Sequence, residues 1–102
     1  MVRILAVGMR DYKVMGRDQF WVQISEDERN AVMIYYVCTD GRVIPMRKEL
    51  YPLTSVVSAV EKFNAGYYVE PPVEVENIEA LPDYLGKFEI LSFGHCKYNP
   101  EL

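Results

Sequence analysis

His95 is the chain's only histidine, and Cys96 follows it directly. Imidazole and thiol are common base and nucleophile in covalent catalysis. In an extended segment, however, neighbours point to opposite faces, so these two cannot serve each other. His95 could meet Cys38 or a serine only across the fold. One His and two Cys make a three-ligand zinc set only by using all three or by adding a carboxylate, and the cysteines stand in no CxxC-type spacing. The glycines fall singly, at positions 8, 16, 41, 66, 86 and 94. Neither GxGxxG nor GxxxxGK[ST] occurs, so those phosphate cradles are absent. Asp and Glu are plentiful, with Asp11, Asp18 and Asp40 in expected loops, and a carboxylate pair for acid–base work stays open as a minor reading because the sequence hides their spacing in three dimensions. No catalytic, metal-binding or cofactor motif stands out, and His95 as a base or ligand stays the minor reading beside a strand-end histidine.

Two other groups could bind. Eight Tyr, four Phe and one Trp make the chain 13% aromatic. The doublets Tyr35-Tyr36 and Tyr67-Tyr68 each place one ring on either face of a strand. Trp21 points away from its apolar neighbours Phe20 and Val22. If a helix covers only one face, rings on the other are left half exposed, and Trp21, Tyr35, Tyr36, Tyr67 and Tyr68 become an aromatic platform for a peptide, a base or a second subunit. The plainer alternative is that loops cover them. Arg10, Lys13 and Arg17 recur every three or four residues near aromatics, with Arg47-Lys48 as a second basic spot. They could hold a small anion or a nucleotide stacked on a tyrosine, or simply lie solvated or paired with acids.

The acids are concentrated in the second half. Residues 1–50 carry a net +1 and residues 51–102 a net −5, for −4 overall. Nucleic-acid binders draw affinity from neutralising phosphates, so this balance argues against nucleic acid. It leaves an acidic surface, solvated or facing a basic partner. At 102 residues and 50% hydrophobic content the chain is one globular domain, with about 65% of its extended surface available for burial. No apolar run approaches the ~20 residues of a membrane-spanning helix. The first residues, MVRILAVGMR, lack the apolar core and cleavage site of a secretory signal, so a cytoplasmic protein with free thiols is expected.

The elements that must place these residues read as α+β, a mostly antiparallel sheet with one main helix. Val2–Val7 reads as a first strand stopped by Gly8. Residues 20–24 alternate, with Phe20, Val22 and Ile24 on one face. The charged SEDERN run, 25–30, admits two readings. Ser25 and Glu28 form a capping-box pattern that would start a helix over 26–38. The following VMIYYVCT is β-branched and aromatic and ends at Asp40-Gly41, a hairpin signal, which favours a strand. On that reading 20–24, 31–39 and 42–46 form a meander with 31–38 central, and Pro45 suits an edge strand. The main amphipathic helix is expected over about 53–65, with Val56, Val57, Val60 and Phe63 as its stripe and Gly66 after its end. Tyr67–Val69 reads as a strand ended by Pro71-Pro72. A short, Pro82-broken helical segment follows over about 77–86, then a last strand at 88–93 and a loose tail from about 98.

RILAVGMRDY (3–12) and EILSFGHCKY (89–98) share Ile, Leu, Gly and Tyr in register, and IYYV (34–37) resembles GYYV (66–69). These matches suggest pseudo-symmetric halves with a groove between them, or similar strand-then-glycine chemistry arising twice. Together the readings point to a small non-catalytic binding protein acting through protein–protein contact at an aromatic surface, as a homodimer or with another chain. A small anionic ligand or nucleotide is the alternative, and a small enzyme the third.

Overall fold

Strands that are apolar on both faces need a sheet buried on each side, and the described residues form a core on both faces. The computed structural model describes residues 1–14, 17–27, 29–40, 42–52, 60, 66–92 and 94–102. Seven strands form one sheet: β1 Val2–Val14, β2 Arg17–Ser25, β3 Asn30–Thr39, β4 Arg42–Pro52, β5 Tyr67–Val75, β6 Phe88–Ser92 and β7 His95–Tyr98. Their order is β4-β3-β2-β1-β5-β7-β6. All neighbours pair antiparallel except β5 and β7.

This corrects the α+β expectation. The protein is mostly β, and among the described residues no helix reaches seven residues. The main helix expected over about 53–65 lies outside the described residues, apart from Val60, which is helical. The shorter helical segment is a 3-10 helix, Ile78–Asp83, with Pro82 inside it. Asn77 caps it by accepting from the Ala80 N–H. The strand reading of the segment after SEDERN holds from Asn30 to Thr39, because a β-branched, aromatic body without a polar face packs well in a pleated sheet and poorly as a surface helix.

Two strands run further than their sequences suggest. β1 passes through Gly8, which faces Trp21 across the ladder instead of ending the strand. β5 passes through Pro71-Pro72. Tyr68 pairs with Ala6 and Val73 with Ile4, so residues 69–72 bulge away from the β1 ladder. Prolines, which lack an N–H, are tolerated in such a bulge. The apparent repeat does not survive as symmetry either. RILAVGMRDY lies along one strand, whereas EILSFGHCKY crosses two strands and turns at Gly94, φ +82°.

A bulge at Leu5 sets which side chains share a face. Ile4 stands opposite Ile24, but Ala6 stands opposite Gln23, so β1 gains one residue there and its alternation flips. On the first face Ile4, Val22, Ile24, Ile34, Tyr36 and Val69 form the larger core, closed by Leu81 of the 3-10 helix. On the second face Ala6, Trp21, Met33 and Tyr35 form a smaller core, against which Val60 and Tyr68 pack. The tail is tied down: the Asn99 N–H donates to the Lys87 carbonyl, and Lys87 Nζ donates to the Pro100 carbonyl.

Candidate ligand cavity

The doublets divide their rings between faces. Tyr36 belongs to the first core and Tyr35 to the second; Tyr67 packs on the first and Tyr68 on the second. Trp21, Tyr35 and Tyr36 are buried, while Tyr67 and Tyr68 are half-buried. The five aromatics thus do not share one surface. Trp21 is wedged against two glycines: a methyl at Gly8 would overlap its indole, and one at Gly66 would lie 2.6 Å from Cζ2. Tyr35 is capped by the Arg47 guanidinium, 4.4 Å from the ring centroid. Arg10 and Lys13 lie along β1 and Arg17 opens β2, with Lys13 opposite Asp18 and Arg17 opposite Val14. The anion reading of these three rests on side chains outside the described ones.

What the fold does assemble is a recess on the first face, with a volume of about 410 Å³. Phe20 and Tyr67 enter it from the middle of the sheet, and Gly8 and Trp21 border it. Val43 reaches it from β4, and Phe88 and Ile90 from β6. β4 and β6 are the two ends of the strand order, so the sheet curls until both ends border one cavity, as in a barrel left open at its seam. Leu85 and Gly86, just past the 3-10 helix, close one side. Phe20 is backed by Tyr36, its ring stacked at 5.9 Å and 24°.

The wall is apolar. No Asp, Glu, Lys, Arg or His lines it among the described residues. Both cysteines do, Cys38 half-buried and Cys96 buried, and neither is in a disulfide. Burial pushes the Cys96 thiol up to about 11, so it stands at neutral pH as a weak S–H donor and not as a nucleophile. Of the residues singled out from the sequence for binding, the cavity brings together Trp21 and Tyr67 among the described side chains. Those that the sequence does not single out for binding include Phe20, Val43, Phe88, Ile90 and the two cysteines. Alternation placed several of them on strands, but period-2 patterning names a face and not the strand across the cavity.

On the second face, His95 stands between Tyr68 of β5 and Ser92 of β6 in the ladder. Its Nδ1 lies 3.1 Å from Glu70 Oε1, and its ring centroid 5.6 Å from that of Tyr68. Cys96, its chain neighbour, faces the other way into the first core, as the alternation requires. Among the described residues no group of three or more His, Cys, Asp or Glu is placed to hold a metal ion. No described helix is long and apolar enough to cross a membrane. Compared with protein-family models, with curated proteins and with solved structures, the chain shows no match.

Proposed function

We propose that this chain is a small non-catalytic binding protein and that the curled-sheet cavity is where it binds. The observation that carries the reading is that both ends of the strand order border one recess of about 410 Å³ whose described lining carries no charged side chain. Ligand sites fall in the range of roughly 300–1,000 Å³ and are mostly apolar with a few polar groups, which fits this recess. Neither cysteine is in a disulfide, which accords with a reducing, cytoplasmic setting.

A protein partner or a second copy of the chain is the second reading. It is favoured by Ile90 and Leu91, 58% and 50% exposed on the edge strand β6 beside the cavity. A small anion or nucleotide held by Arg10, Lys13 and Arg17 is the alternative drawn from sequence, and an enzyme the third. The test is native mass spectrometry of the protein as purified, beside a Val43→Phe variant that fills the recess. A retained small molecule that the variant loses supports the cavity. A stable dimer or bound polypeptide, unchanged in the variant and lost on Ile90→Ser with Leu91→Ser, favours the second reading and moves the site to the β6 edge.

A further inference from the structure

We infer that the cavity takes a neutral, largely aromatic molecule, with no carboxylate, sulfonate or phosphate entering the recess; this rests on the cavity being the binding site. The first reason is that no charged side chain lines the recess among the described residues. An anion buried there would give up its water without a cation or charged donor among the described lining residues. Unpaired charge in an apolar site is strongly disfavoured. Cys96 offers only an S–H, since burial keeps that thiol protonated.

Ring placement is the second reason. Phe20, Tyr67 and Phe88 border the recess from β2, β5 and β6, three strands spread across the sheet order. Rings arriving from separated strands present both faces and edges to an occupant, and such surfaces favour offset or edge-on contact with another π-system. The third reason is rigidity. Phe20 is held by its stack on Tyr36, and the sheet floor at the Gly8–Trp21 pair is locked by the indole lodged against Gly8 and Gly66. A preformed site loses little entropy on binding a flat, stiff ligand.

N-phenyl-1-naphthylamine and 1-anilinonaphthalene-8-sulfonate share one ring system and differ by the sulfonate, so the pair isolates charge. Each is titrated into the whole chain, reading probe emission and energy transfer from Trp21, the chain's one tryptophan. The expected result is saturable one-site binding, the neutral probe at least about tenfold tighter. Val43→Phe should weaken that binding by about tenfold through loss of volume, and so should Ile90→Phe at the more exposed rim. Equal or tighter binding of the sulfonate, weakened by either variant, overturns the neutral class while leaving the cavity as the site. No saturable binding of either probe, or binding that both variants leave unchanged, overturns the cavity reading and this inference with it.

Discussion

A methyl group at Gly66 would lie 2.6 Å from Trp21 Cζ2 and 2.9 Å from the Val7 carbonyl oxygen, at a backbone φ of +102° that side chains rarely adopt. Two penalties therefore coincide there, overpacking and left-handed strain. Gly66→Ala should cost about 2–3 kcal/mol in urea unfolding, with the Trp21 emission displaced because the indole must shift. A loss under about 0.5 kcal/mol would mean that the indole has room to move. Gln23 presents the opposite problem. It is buried between Ala6 and Met33, and neither its Nε2 nor its Oε1 has a hydrogen-bond partner. An orphaned buried amide costs about 1–3 kcal/mol. Gln23→Met, similar in shape, should raise stability by about 1 kcal/mol in the same assay, and a decrease would show that the amide is satisfied. Tyr36 and Cys96 set the alkaline limit. Burial first, and then the Glu79 charge, pushes Tyr36 up to about 12 from 10.0, and burial pushes Cys96 to about 11 from 9.0. Both folded values are raised, so the stability tied to the neutral forms is intact below pH 9.0 and falls as pH climbs through the folded values. The urea midpoint should be flat up to that point and then decline, less steeply in Tyr36→Phe. A midpoint unchanged to pH 11 would contradict the burial of both groups.

At the scale of elements, the SEDERN run shows how a local signal is decided by its neighbours. Ser25 and Glu28 satisfy a helix-start pattern, but Asp27 organises a turn instead. Its Oδ1 accepts from the Arg29 N–H at 2.7 Å and the Asn30 N–H at 2.8 Å. Those two N–H groups, Arg29 first, hold its carboxyl below the usual 3.8. The lowered value means that this support is present above pH 3.8 and is lost as pH falls through the folded value. Asp27→Ala should speed hydrogen exchange at the Arg29 and Asn30 amides at neutral pH, and acid should do the same to the wild type. Exchange that responds to neither would remove Asp27 from the turn. The β2–β3–β4 meander is legible because 31–38 is apolar on both faces and Asp40, at φ +51°, starts the expected turn. The course of β5 was not. Pro71-Pro72 reads as a strand end, and only the bulge opposite Leu5 shows how a strand continues past it.

At the scale of the molecule, alternation reveals which residues share a face but not which strands meet. Trp21 was read correctly as opposed to Phe20 and Val22, and each tyrosine doublet does divide its rings between two cores. The α+β reading underestimates the sheet because it ends β1 at Gly8, β4 at residue 46 and β5 at the prolines, and does not count β7 as a strand of its own. The cavity was out of reach for a different reason. Val43 and Phe88 are more than forty residues apart in the chain, and nothing in either segment specifies the curl that brings them to one recess.

That curl has a consequence for the order of events in folding. β2, β3 and β4 follow one another as hairpins, so their contacts are local and close early. The recess has no second wall until β5 crosses back to pair with β1 and the β6–β7 hairpin docks in parallel on β5. Those are long loop closures, the slow part of an all-β topology. An occupant can recognise only the finished wall, so it should slow escape from the native state and leave the approach to it unchanged. In stopped-flow traces followed through Trp21, saturating N-phenyl-1-naphthylamine should lower the unfolding rate in proportion to its stabilisation, with the refolding arm superimposed on that of the free protein. A faster refolding arm would place the recess in the transition state, and the rim strands β4 and β6 would then have met before the parallel pair was made.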